Sequence, residues 1–201
     1  MKCLPPVVVL AVFLRPAAGV DWKIELLADV PWGDTSIDVA ADGTPRIAYD
    51  DGTQLRYYEA GDIETVGTID AFSTISLAHD ENGEPMIGYE FGSGVVVSRR
   101  VDGTWQTTSV AGVASEYASL RTDAVGNGHL SYKLVEHSGV GDLVHANDLS
   151  GSWLPLEVRG NVQGEETDVP MLSLGLSPSG QPRIAYVGHG IGIRFAEGTV
   201  T

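Results

Sequence analysis

Gly43-Thr44-Pro45-Arg46-Ile47-Ala48-Tyr49 recurs as Gly83-Glu84-Pro85-Met86-Ile87-Gly88-Tyr89, as Gly126-Asn127-Gly128-His129-Leu130-Ser131-Tyr132, and as Gly180-Gln181-Pro182-Arg183-Ile184-Ala185-Tyr186. The four glycines stand 40, 43 and 54 residues apart. A frame of Gly-x-Pro-x-apolar-x-Tyr held over four copies, with Gly128 in place of one proline, marks one supersecondary unit repeated in phase.

Each copy carries the same flanks. Six and eight residues before the glycine stand Ile37 and Thr35, Leu77 and Ile75, Leu120 and Ala118, and Leu174 and Leu172, the alternation of a half-buried strand. The glycine turns the chain into a second strand that bears the apolar residue and the tyrosine on one face. Between them each copy places a small residue, Ala48, Gly88, Ser131 or Ala185, as close face-to-face packing of sheets about 10 Å apart requires. A third strand follows at 55–58, 95–98, 143–146 and 193–196. A fourth opens at Trp105 and at Trp153; in the first unit Gly61 falls at the tryptophan position and Val66 at the closing valine.

The last unit lacks a fourth strand, and 22–27, Trp-Lys-Ile-Glu-Leu-Leu, has the missing pattern at the other end of the chain. Trp22 precedes Gly43 by 21 residues, as Trp105 precedes Gly126 by 21. The expected fold is therefore an all-β propeller of four four-stranded antiparallel blades, 34–66, 71–110, 116–158 and 168–196, the last closed by the N-terminal strand 22–27. The tyrosines 49, 89, 132 and 186, shared by every copy, read as packing between blades, and Trp22, Trp105 and Trp153 as anchors on outer strands.

These units resemble the repeats of secreted bacterial β-propeller proteins, in the neighbourhood of sialidase-like (BNR-type) propellers, over about residues 22–196. The resemblance implies a fold and a secreted setting, not an activity. Ser98-Arg99-Arg100-Val101-Asp102-Gly103-Thr104-Trp105 departs from the Asp-box spacing of sialidases, so no catalytic residue is carried over.

Residues 1–19 read as a secretory signal peptide: Met1-Lys2, an apolar run over 7–14, then Pro16-Ala17-Ala18-Gly19. The run is too short to span a bilayer, so membrane insertion is not expected, and the remaining 20–201 form one propeller domain, secreted or periplasmic. Cys3, the only cysteine, leaves with the leader and no disulfide follows. With 27 acidic against 12 basic residues and a net charge of −15, nucleic acid is excluded as a partner. At 43% apolar and 19% charged, the chain is not a disordered acidic tail.

Function is expected where the copies differ. The two insertions, 133–142 and 159–168, emerge on the same face of a propeller, and that face is the expected binding surface for a carbohydrate, peptide or protein partner. It carries His137, Asp142, Glu165, Glu166 and Asp168, with Asp50, Asp51, Glu90 and His189 on the neighbouring rims. The carboxylates are of the type that could hold Ca²⁺, though no Asp-x-Asp-x-Asp-Gly loop is present. No Gly-x-Ser-x-Gly, phosphate-loop or His-Glu-x-x-His motif points to catalysis, which leaves a non-enzymatic binder as the leading reading. Glycoside hydrolysis by channel-mouth carboxylates such as Asp50 and Glu90, or a structural role as part of a larger propeller, are the alternatives.

Overall fold

The repeat folds from its turn outward. In all four copies the turn glycine takes a left-handed φ, between +77° and +88°, where a side chain would be strained. Its N–H bonds back three residues, Gly43 to Ala40, Gly83 to Asp80, Gly126 to Asp123 and Gly180 to Ser177. Asp80 Oδ1, Asp123 Oδ1 and Ser177 Oγ each accept the N–H four residues on, from Glu84, Asn127 and Gln181. The first copy has Ala40 there, and Asp42 Oδ1 instead accepts the N–H of Thr44.

A computed structural model describes residues 24–29, 33–40, 42–70, 73–135, 141–159, 172–188 and 192–199. The described residues form fifteen strands and no helix. The first sheet is β1 (Thr35–Val39), β2 (Pro45–Asp50), β3 (Gln54–Glu59) and β4 (Asp62–Thr68), and the second is β5 (Ile75–His79), β6 (Pro85–Phe91), β7 (Gly94–Val101) and β8 (Thr104–Ala111). The third holds β9 (Ser115–Thr122), β10 (Gly128–Val135), β11 (Gly141–Asn147) and β12 (Leu154–Arg159), and the fourth β13 (Leu172–Leu176), β14 (Pro182–Gly188) and β15 (Gly192–Glu197). Every pairing is antiparallel between sequence neighbours.

The sheets stack through the expected positions. Tyr57, Leu55 and Ala48 on one face of the first sheet pack with Ile75, Leu77, Ile87, Tyr89 and Val96 of the second. The opposite face of the second, with Met86, Val95 and Val97, packs with Leu120, Leu130, Tyr132 and Val144 of the third. Leu143 of the third then meets Leu174, Ile184 and Tyr186 of the fourth. Tyr89, Tyr132 and Tyr186 are buried between sheets, the packing role read from the sequence, whereas Tyr49 is buried on the first sheet's other face, the one that bears Ile37. A Cβ on Gly88 would lie 3.0 Å from Leu130 Cδ1, so the sheets already touch at the small position.

The leading strand of each sheet is an edge strand whose outward N–H groups need partners. A serine at one repeated position supplies them: the N–H of Leu77 donates to Ser36 Oγ at 2.9 Å, that of Leu120 to Ser76 Oγ at 2.8 Å and that of Leu174 to Ser119 Oγ at 3.1 Å.

Among the described residues the fourth sheet has three strands, and 24–27, the described part of the expected closing strand 22–27, lie in no strand, so the expected closure of the last blade is not seen. One expectation is corrected: Gly61 is not the tryptophan's counterpart. It is the second residue of a tight hairpin at φ +101°, as Gly103 is at +73°, and Ile63 stands where Trp105 stands. The closing valines Val66 and Val110 sit at a bulge, skipped by the ladder, which turns both inward to be buried. The unit's proline gives way to Gly128 because a Cβ there would fall 2.6 Å from the Trp153 ring and 2.8 Å from Met86 Sδ.

Candidate functional site

Of the residues singled out on the insertion face, His137, Glu165, Glu166, Asp168 and His189 lie outside the described residues. The others differ in what holds them. Asp50, almost wholly buried at the end of β2, accepts the Gly52 N–H at 2.7 Å. Asp51 caps the same turn through the N–H groups of Thr53 and Gln54 and takes Arg56 Nε at 2.6 Å. Burial pushes its carboxyl up, but Arg56 and the amides outweigh it and leave the pKa below the ordinary carboxylate value. Glu90 faces the third sheet and accepts Thr74 Oγ1 at 2.6 Å and the Thr74 N–H at 3.1 Å, just ahead of β5 in its own sheet, and the N–H of Tyr117 in β9. Burial raises its pKa against the pull of those bonds. Its work is to secure Tyr117, a bulged residue at φ +62° in β9.

Buried Lys133 lies beside this bulge, 3.7 Å from Glu116 Oε2 and over the Tyr117 ring. Asp142 on β11 is buried with Oδ1 lacking a hydrogen-bond partner among the described residues. No group of three or more His, Cys, Asp or Glu side chains among the described residues is arranged to hold a metal ion. Glu90 belongs to the junction between the second and third sheets, Lys133 lies on the opposite face of the third sheet, the face that bears Leu143, and Asp50 and Asp51 belong to the first sheet.

Sequence reasoning passed over the grooves where adjacent sheets meet. Between the first and second sheets a groove of about 350 Å³ is lined by Arg46, Glu59, Glu64 and Arg100. Its two arginines are paired with acids: Arg46 Nε lies 2.6 Å from Glu59, and Arg100 reaches Glu59, Glu64 and Glu84 at 2.8–3.3 Å, with Asp42 and Asp62 adding further negative charge to the lining. Trp105 is committed too, donating from Nε1 to Glu64 at 2.8 Å and meeting Tyr57 edge to face.

The groove between the second and third sheets, about 450 Å³, differs. Its walls are Trp153, Arg99, Asp148, Gln106, Thr108 and Met86. Among the described residues Arg99 donates from Nη2, to the Gly126 carbonyl at 3.0 Å, to Asp148 Oδ2 at 3.2 Å and to Met86 Sδ at 3.9 Å. Asp148 is aimed by the Gly128 N–H, which donates to Oδ1 at 2.6 Å. Trp153 is half-buried against the core, with part of its surface turned to the groove. An aromatic surface beside a planar cation, a carboxylate, an amide and hydroxyls can hold a ring bearing several hydroxyl groups, with C–H bonds on the indole and O–H groups on the polar wall. The signal for it was in the sequence: Trp105 and Trp153 share a repeat position, so both were read as anchors, but the copies differ in what surrounds them.

The third junction holds a groove of about 480 Å³ with Leu149, Leu154, Leu156 and Pro182 on its walls. At its inner end His145 stacks on His129, ring centroids 5.4 Å apart, with Nε2 3.3 Å from His129 Nδ1. Burial, reinforced by His129, draws the pKa of His145 down to about 4.

No protein-family model matches the chain, and no curated protein matches it. Solved structures do. A six-bladed β-propeller lectin of Aleuria aurantia, described by its fucose recognition, is similar over 84% of this chain and 60% of its own, at TM-score 0.57 and 16% identity. A Dyadobacter fermentans protein of unknown function is similar over 81% of this chain and 64% of its own, at TM-score 0.59 and 12% identity. An endo-1,4-beta-xylanase of Bacteroides thetaiotaomicron is similar over 83% and 71%, at 0.52 and 12%. The chain thus has a propeller-like fold. It spans less than two thirds of the lectin and of the Dyadobacter protein.

Proposed function

We propose that this chain is an exported, propeller-type carbohydrate-binding module whose binding site is the groove between its second and third sheets. The observation that carries the reading is the Trp153–Arg99–Asp148 wall, an aromatic surface beside an arginine that the described residues engage through Nη2. Similarity to a lectin described by fucose recognition supports a sugar over a peptide as ligand. Glu90, with its raised pKa, and the likeness to a xylanase favour hydrolysis as a second reading, but both Glu90 oxygens are spent on Thr74 and Tyr117. The test is a glycan array with the full chain, followed by titration calorimetry on the best hit. Arg99→Ala and Gln106→Ala should each weaken binding about tenfold or more, while Glu90→Gln leaves it unchanged. Binding that survives Arg99→Ala, or that is lost in Glu90→Gln, refutes the assignment to this groove.

A further inference from the structure

Each inner junction joins two faces of constant type. The leading strand of the later sheet contributes an apolar residue, Leu77, Leu120 or Leu174, at most 4% exposed. Its N–H donates to the serine of the earlier sheet. The third strand of the earlier sheet contributes Tyr57, Val97 or His145, at most 5% exposed.

The same positions recur on the two outermost faces, and there they are open. Ile37, at the position of Leu77, Leu120 and Leu174, is 64% exposed, and Val39 beside it is 57% exposed. At the other end Phe195, at the position of Tyr57, Val97 and His145, is 63% exposed and Ile193 84%. Ser173, the fourth serine of the series, and Ala185, the fourth small residue, share that exposed face. Arg183 pairs with Glu197 as Arg46 pairs with Glu59. In the first sheet that arginine also donates to the Gly83 carbonyl in the next sheet's turn, at 3.0 Å. The fourth sheet thus carries the donor, the acceptor and the apolar surface of an earlier sheet, and the first sheet carries the surface of a later one.

We propose that the chain associates head to tail with a second copy of itself, the exposed face of the fourth sheet packing on the exposed face of the partner's first sheet. The occupant follows from the repeat: at three junctions out of three, what covers this face is another sheet of the same unit, and the complementary face is present on the same chain. Ser173 Oγ then accepts the N–H of the partner's Ile37, and Arg183 donates to the carbonyl of the partner's Gly43. Because the two surfaces differ, the contact is heterologous, and two such contacts close a ring of two chains.

Sedimentation of the full chain over a range of concentrations tests this, with Ile37→Asp and Phe195→Asp as single variants and as a one-to-one mixture. Both residues are exposed in the single chain, so the variants should keep the wild-type far-ultraviolet dichroism. The wild type should sediment at twice the chain mass, each variant should dissociate about 100-fold more readily, and the mixture should recover dimer because one junction remains intact. A wild type that stays monomeric, or a mixture that recovers nothing, overturns the proposal. Should a variant fail to fold, Ile37→Cys with Ser173→Cys in a Cys3→Ser background decides. An oxidised disulfide between chains is expected, and one within a chain, or none, overturns the proposal.

Discussion

Acid should act on this protein through His145. The side chain is buried between the third and fourth sheets, and its pKa lies at about 4 against about 6.5 in an unfolded chain. As the pH falls below 6.5 the unfolded state takes up a proton that the folded state refuses until about pH 4. Stability present above pH 6.5 is therefore lost progressively over that window. A separation of about 2.5 units at about 1.4 kcal/mol each amounts to about 3 kcal/mol. His129, whose pKa burial also lowers against the pull of Asp123, adds in the same direction. The control is His145→Val, since Val97 fills the matching place in the second sheet. Urea unfolding of both proteins at pH 7, 6, 5 and 4 gives the assay. Carboxylates with lowered pKa values, such as Asp51 and Asp123, destabilise both proteins equally in acid and cancel in the difference. The gap between wild type and variant should shift by about 3 kcal/mol in the variant's favour from pH 7 to pH 4. Parallel curves would refute the reasoning.

Two further outcomes test how the sheets are held. Gly128→Ala forces a methyl against the Trp153 ring and Met86 Sδ and should lower stability by about 1–3 kcal/mol in denaturant unfolding; an unchanged midpoint would show that the ring has room to move. Ser76→Ala leaves the buried Leu120 N–H without its acceptor, for a loss of about 1–3 kcal/mol and faster exchange of that amide; unaltered protection would mean the serine link carries no weight.

The packing of the fold was legible because the repeat declares it. Turn glycines, buried tyrosines and small interface residues recur at fixed offsets, and their physical demands are local: a left-handed φ, an apolar face, no Cβ where two sheets touch. The candidate site was not legible in the same way. Asp50, Asp51 and Glu90 stand out as acidic residues on a rim, and only the coordinates reveal that turn amides, Arg56, Thr74 and the bulged Tyr117 use them up. Arg99, Asp148 and Trp153, spread over 54 positions, look unrelated until two sheets bring them to one groove.

By itself, the sequence determined the unit, its strand order and its buried face, since each depends on residues a few positions apart and on the two-residue period of a strand. Tertiary structure decided which polar groups are spent and which are offered. It also decided that 24–29 enter no strand and that Ile37 and Phe195 face outward. Those outcomes depend on what lies across each sheet's face, and no local pattern in the chain encodes its neighbour.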